Sequence, residues 1–473
     1  MLDLVLTGGT VVTPGGAGLW DIGIRGEAIA AVALPGTLPT EGARVIDVTG
    51  RVVAPGGIEP HAHIAWPVPA LPDYRSSGPA EVSAAALHGG TTTILDFALQ
   101  TAGLDLLQAV EARNRLWQGA SYCDYSYHVM PTSVLSVRDI EQLPEVIASG
   151  FPSVKVFTTS VRPPTGPHSF HVDFGRLAMV MERVAAQGGI AVIHAEDDEM
   201  VQHNYRMARD TGRWEWQHLP YVHDNLSEDL AYRRVIRLAE VKQAALYLVH
   251  VSAREGVNAI DEAQRRRLPV YGETLHNYVS FTEANYREAD GMKYHTYPSL
   301  KSESDRTALW DGLLHGDLAT IATDHISTSY AIKTMGRSVA DCTGGHNGIE
   351  TRMGVMYAEG VVRRGMSLER YADITSANAA RLFGLYPRKG AIQPGSDADL
   401  TVIDPSVKRP LAKADLHLED YSIWEGWPLE GWPTLTILRG KVAVEDGRLL
   451  APAGGGMLAP RRIAAGVLTR PGV

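Results

Sequence analysis

Between residues 55 and 391 the chain repeats one pattern: a short apolar run rich in β-branched residues, then an amphipathic stretch with helical spacing. "TTTILDF" precedes "LDLLQAVEARNRLW", and "YSYHVM" precedes "VRDIEQLPEVIAS". "SVKVF" precedes "FGRLAMVMERVAAQG", "IAVIHA" precedes "EDDEMVQHNYRMARD", and "ALYLVHV" precedes "REGVNAIDEAQRRR", with "ATIATD" late in the series. Runs this apolar read as strands buried on both faces and therefore parallel. So many strand-then-helix units favour a closed (β/α)8, TIM-like barrel over an open doubly wound sheet.

The two ends of the chain follow a different rule. Residues 1–54 alternate β-rich runs with Gly and Pro turns, as in "LDLVLTGGTVV" and "DIGIRGEAIAAVA". After the helical "LERYADITSANAARLFGL" the same texture returns in "ADLTVIDP" and "PTLTILRGKVAVEDGRLL". The simplest organisation pairs residues 1–54 with 392–450 in a small β-sandwich, threads the barrel of residues 55–391 between them, and leaves 451–473 as a Gly/Pro-rich tail or arm. With 45% hydrophobic residues, 473 residues can bury both cores.

The net charge of −10 is mild for this length, and no run of five or six like charges occurs, which argues against a nucleic-acid partner. No uncharged apolar run approaches the roughly 20 residues of a membrane span, and the N-terminus lacks the pattern of a signal peptide. Two cysteines exclude a disulfide framework or a thiolate zinc site and suit a reducing compartment. The expectation is a cytoplasmic protein acting on a small molecule, with any metal held by His and carboxylates.

"PGGIEPHAHIAW" places His61 and His63 one residue apart at a strand end. Residues i and i+2 of a strand share a face, so both imidazoles can address one point. His194 ends "IAVIH", His250 ends "ALYLVH", Asp324 ends "ATIATD" and Lys155 lies in "SVKVF". In a parallel barrel the C-terminal strand ends meet at one mouth, where barrel active sites lie. Any one of these residues alone reads as structural; six converging on one rim read as a site.

These segments, with "GGTTTILDF", "VIHAED", "LVHVSAREG", "GETLHNY", "NGIETRM" and "SANAARLFGLYPRKGAIQPGSDADL", resemble the amidohydrolase superfamily and, within it, the dihydropyrimidinase/hydantoinase branch of cyclic amidases. The resemblance spans nearly the whole chain. It implies a distorted (β/α)8 barrel with a β-sandwich built from both chain ends, and two divalent ions, zinc or alternatively manganese. It implies that CO2 carboxylates Lys155 and that the carbamate bridges the ions. His61, His63 and Asp324 would complete one metal site and His194 and His250 the other. Metal-bound hydroxide would open a cyclic amide or ureide, with Asp324 as catalytic base and then acid. The family analogy also implies a homotetramer whose tail lies on a neighbour. Allantoinase or cyclic-imide hydrolase activity is the alternative within the enzyme class, and a non-catalytic scaffold the alternative outside it.

Three positions near the substrate depart from the family pattern. Ser160 stands where relatives carry the tyrosine that steadies the oxyanion, with His168 and His171 as nearby candidates to replace it. Tyr297 in "KYHTYPSLKS" stands where the family has a serine whose backbone grips the ring amide, and Gly344 in "CTGGHNGIE" stands near an expected Asn. Ser160, Tyr297 and Gly344 are therefore the expected substrate-contacting positions. Glu59 replaces an aspartate before the two histidines. Asp96 is expected to support the site from behind, and His128, His223, His276, His295, His346 and His417 to be structural or exposed.

Overall fold

The computed structural model describes residues 1–68, 71–165 and 168–471; the last two residues of the expected tail lie outside them. Eight parallel strands pair in chain order: β1 (Gly57–Glu59), β2 (Thr91–Leu99), β3 (Asp124–Met130), β4 (Ser153–Phe157), β5 (Ile190–His194), β6 (Ala245–Leu248), β7 (Val270–Leu275) and β8 (Thr320–Ala322). Every residue of β3 to β8 is buried, as expected of strands covered on both faces. Between β8 and β1 the barrel closes just past the strand ends: His63 N donates to His325 O at 2.8 Å and His325 N to His61 O at 3.3 Å.

Side chains lace the same seam. Glu59 Oε1 accepts from His61 N (3.0 Å) and from Thr323 N (3.1 Å). The fully buried Arg352 reaches Glu59 Oε2 at 3.1 Å, Ile321 O and Thr375 O at 3.1 Å, and Thr91 Oγ1 at 3.2 Å. Burial pushes the Glu59 carboxyl up to about 7 against the pull of Arg352.

Helices cover the barrel, several starting at an acidic or hydroxyl cap. Asp105 opens Leu106–Trp117, Asp173 opens Phe174–Ala186, Asp197 opens Asp198–Asp210 and Ser302 opens Glu303–His315, each accepting from a backbone N–H of the first turn. Two expected helices are interrupted. The stretch 137–149 divides into Val137–Glu141 and Leu143–Ala148, with Pro144 in the first turn of the second piece. The stretch from 368 passes through a wider π-type turn at Asp373–Ala377.

Both chain ends form one nine-stranded mixed sheet. Val52–Pro55 is its keystone, running parallel to Leu4–Thr13 and antiparallel to Leu400–Pro410. Leu4, Ile22, Val53, Leu400, Val402 and Ile437 lie in its own apolar core. The tail packs on its own barrel: Tyr125 N donates to Met457 O and Ala459 N to Tyr125 O. Arg461 is buried and donates to Ser126 Oγ and Ser153 Oγ, each at 2.9 Å, and to Tyr127 O. Contacts of the tail with the barrel continue to residue 470, Tyr271 Oη donating to Val467 O and Arg470 O. Among the described residues no helix is long and apolar enough to cross a membrane.

Candidate metal centre

All six expected ligand residues are buried at the C-terminal rim of the barrel. His61 and His63 follow β1, and their Nε2 atoms converge on one oxygen: Asp324 Oδ1 lies 3.2 Å from His61 and 3.1 Å from His63. Lys155, at the middle of β4, brings its Nζ to 3.2 Å from His61 Nε2. His194 ends β5 and His250 follows β6, with His194 Nδ1 2.8 Å from His250 Nε2. The rings of His61 and His250, 5.4 Å apart between centroids, join the two groups.

The donors fit a cation. His61 Nδ1 lies 2.6 Å from Glu273 Oε1, so that when Glu273 is ionised the His61 N–H points to the carboxylate and the Nε2 lone pair faces Asp324. Two acceptor atoms 3.2 Å apart in a dry site repel unless a positive charge lies between them. On the other side, His194 Nε2 sits 2.8 Å from Glu196 Oε2, which turns its Nδ1 towards His250. Carboxylates behind ligand histidines set the tautomer and raise ligand basicity. The ligating atoms of His61, His63 and Asp324 lie within 4.8 Å of one another.

The electrostatics agree. Burial, then the neighbouring Lys155, holds His61 well below its ordinary value, and burial lowers His63, His194 and His250 as well; all are neutral and able to ligate. Burial raises the Asp324 carboxyl, but His61, His63 and Lys155 outweigh it and hold it below the usual range. Burial brings the Lys155 amine down to about 7, despite Asp324 and Glu273. A lysine there is partly neutral at physiological pH and able to react as a nucleophile.

Two ligand positions take unusual backbone. His250 has φ 40° and Asp324 φ 48°, left-handed values that non-glycine residues rarely adopt. Each follows a barrel strand by two residues, and the turn swings its side chain over the mouth.

The pocket above the ligands is walled mainly by apolar groups, including Trp66, Phe157, Phe170 and Ile326. Tyr297 and Gly344 line it, and they pack together so closely that a Cβ on Gly344 would lie 2.6 Å from the Tyr297 ring. Ser160 does not line this pocket. Its N–H donates to Asp198 Oδ1 and it faces an outer cavity shared with His168. His171 Nδ1 sits 3.6 Å from Asp198 Oδ2.

Sequence reasoning did not single out Glu273, Glu196 or the role of His223, whose Nδ1 meets Glu196 Oε1 at 2.8 Å. A charged residue within an apolar strand, as in "VYGETL", was the available signal. Asp96 does support the site: it accepts from Ile64 N, from Trp117 Nε1 and from Arg113, fixing the chain just after His63. His128 is structural, bridging Ser153 Oγ and Pro60 O.

Comparison with known proteins places this geometry. The model of the amidohydrolase family matches residues 52–443. The chain belongs to the amidohydrolase family. It is 33% identical to a D-hydantoinase of Streptomyces coelicolor over 97% of each chain, and 32% identical to a D-hydantoinase of Geobacillus stearothermophilus over 97% of this chain and 96% of that one. The crystal structure of dihydropyrimidinase from Brevibacillus agri superposes with a TM-score of 0.92 at 31% identity, covering 98% of this chain and all of that one. This amidohydrolase therefore shares its fold over 98% of its length with an enzyme named for dihydropyrimidines.

Proposed function

We propose that this amidohydrolase opens cyclic amides or ureides of the hydantoin and dihydropyrimidine type, using two divalent ions. The observation that carries this reading is the buried contact of the Lys155 amine with His61 Nε2, beside Asp324. His61, His63 and Asp324 would hold one ion and His194 and His250 the other. The Lys155 amine would add CO2, forming an N–C bond and releasing one proton, and the carbamate would supply an anionic ligand beside these residues. The ions, zinc in this reading although manganese suits the same donors, supply Lewis-acid polarisation of the scissile carbonyl and a water acidified towards neutrality.

Asp324 then acts as the proton carrier. Its carboxylate accepts the proton of the attacking water as the water oxygen joins the carbonyl carbon. It returns that proton to the ring nitrogen as the C–N bond breaks, leaving a carboxylate and an open-chain amide or ureide. The backbone at Tyr297 and Gly344 docks the –NH–CO– unit, and the apolar wall limits bulk water. Ser160 lines the outer cavity and not the pocket over the ligands, which argues against its taking the missing tyrosine's part. The buried free cysteines suit a cytoplasmic setting; the homotetramer rests on family resemblance, and the division into 1–54 with 392–450, 55–391 and 451–473 on the change of sequence texture along the chain.

The test is a hydrolysis panel of dihydrouracil, 5-substituted hydantoins, allantoin and succinimide with metal-loaded, bicarbonate-grown protein and Lys155→Ala as the blank. Ring opening of hydantoins or dihydrouracil that disappears in the blank is the expected result. Silence across the panel from protein carrying two metals per chain would refute the reading.

A further inference from the structure

The pocket over the ligand residues and the second cavity adjoin, sharing Val161, Arg162 and Phe170 in their walls. The turn that brings Arg162 there is tightly constrained. Val161, a β-branched residue, sits at φ 46°, and Arg162 N closes the turn on Ser160 O at 2.5 Å. Such backbone persists only where its surroundings enforce it. Here Asp198 Oδ1 accepts from Ser160 N and Thr159 Oγ1, each at 2.9 Å, and Tyr205 Oη donates to Val161 O at 2.9 Å. Gln202 Nε2 reaches Arg162 O at 3.4 Å. One helix, Asp198–Asp210, thus clamps the turn that carries Arg162.

The guanidinium itself is not used up. Among the described residues it makes no ion pair and no side-chain hydrogen bond, and its carbon lies 6.0 Å from the Tyr297 ring centroid. The carboxylate of the outer cavity, Asp341, is engaged elsewhere: its Oδ1 accepts from Arg337 N, Ser338 N and Ser338 Oγ. A half-buried guanidinium in a largely apolar passage, with its donors free, is a receptor for a planar anion.

Resting on the proposed ring-opening activity, we propose that Arg162 binds an anionic substituent of the substrate, so that the preferred substrates are cyclic ureides or amides whose side chain ends in a carboxylate. The ring sits over the metal centre and the side chain runs through the junction towards the outer cavity. Arg162 is then a specificity-determining residue, remote from the scissile bond.

The decisive pair of substrates is 5-(2-carboxyethyl)hydantoin and its amide, 5-(2-carbamoylethyl)hydantoin, which differ in charge at nearly constant shape. The expected result is a kcat/KM for the acid at least tenfold above that for the amide, carried by KM, with the preference lost in Arg162→Met and partly kept in Arg162→Lys. Calorimetry on the metal-loaded protein gives an independent reading with the ring-opened compounds. N-carbamoylglutamate is expected to bind more tightly than N-carbamoylglutamine to the wild type, and equally to Arg162→Met. A preference that survives in Arg162→Met overturns the proposal. So does an equal loss of kcat on acid and amide, which would make Arg162 an oxyanion donor, or a loss confined to 5-phenylhydantoin, which would make it a stacking platform. If no cyclic amide is opened at all, the activity fails, and the calorimetric comparison still decides the role of Arg162.

Discussion

Replacing Glu273 with glutamine tests the metal centre through a residue that holds no metal. Glu273 Oε1 lies 2.6 Å from His61 Nδ1 and accepts from His250 N at 3.1 Å, while Oε2 accepts from Tyr247 Oη at 2.8 Å. A glutamine can keep its carbonyl oxygen on the first two donors. Its NH2 can donate to the Tyr247 hydroxyl, which can turn its own proton to Thr320 Oγ1, 2.6 Å away. No buried group is orphaned, so Glu273→Gln removes charge while keeping shape. Burial, opposed by Lys155, raises the Glu273 carboxyl to about 8, so without a cation it is mostly neutral at pH 7. A divalent ion at His61 favours the ionised form, and uptake therefore expels a proton. Wild-type affinity is expected to rise through pH 7 to 8 by up to about tenfold per unit for that proton, a component glutamine lacks. Partners behind ligand histidines are worth about 10- to 100-fold in metal affinity, or about 1.4–2.7 kcal/mol. Competition against a chromophoric chelator from pH 6.5 to 8.5 measures both effects, with circular dichroism confirming the fold. A folded Glu273→Gln protein that binds metal as tightly as the wild type, with the same pH slope, would refute the reasoning.

Two further outcomes follow from buried lysines. Lys155 must be neutral to add CO2, and its amine is lowered to about 7, so carboxylation of metal-free protein at fixed dissolved CO2 is expected to be slow at pH 6 and to rise through pH 7 to a plateau. The carbamate carbon-13 resonance follows it, and a pH-independent rate would count against the neutral amine. Lys389, 2.7 Å from Asp124, 2.6 Å from Asp399 and 3.0 Å from Asp397, ties the barrel to the terminal sheet. Lys389→Met removes the ion pair of the buried Asp399, while Asp124 keeps Arg439 at 3.3 Å, and is expected to cost about 3–5 kcal/mol in urea unfolding at pH 7. Because these carboxylates raise the Lys389 ammonium, its contribution is complete below its ordinary value and fades only as pH rises through the elevated one, so the deficit persists to strongly alkaline pH. An unchanged urea midpoint at pH 7 would show that the cluster does not hold the two parts together.

What was legible in the sequence came from periodicity and from residue types placed where strands end. "SVKVF" matches β4 residue for residue, and the six metal-competent residues lie together because parallel strands share one mouth. The interruptions in the helices at 137 and 368 were less visible, since amphipathic spacing continues across a short break. Arg461 was hidden for another reason: an arginine in a Gly/Pro-rich stretch reads as solvated, and only the folded chain supplies the two hydroxyls and the carbonyl that let it be buried. Glu196 meets a histidine 2 positions away at the same strand end, whereas Glu273 gains its meaning across the barrel from a histidine 212 positions away, and residue spacing carries no record of the longer of these contacts.

The left-handed backbone at His250 and Asp324 links those hidden carboxylates to the fold. Strain of this kind costs about 1–3 kcal/mol per residue and needs compensation nearby. At His250 the strained residue's own N–H is taken by Glu273; at Asp324 the preceding N–H, that of Thr323, is taken by Glu59, which also takes the N–H of His61. Glu59 in turn is held by Arg352, the residue that joins β8 to β2. Closure of the barrel and alignment of the metal ligands are therefore one network of hydrogen bonds. A cation that binds only the aligned ligands stabilises the closed barrel by RT ln(1 + c/Kd) at free metal concentration c. Metal loading at one fixed free metal concentration is thus expected to raise the melting temperature of the wild type more than that of Glu273→Gln, the gap growing with the logarithm of their affinity ratio.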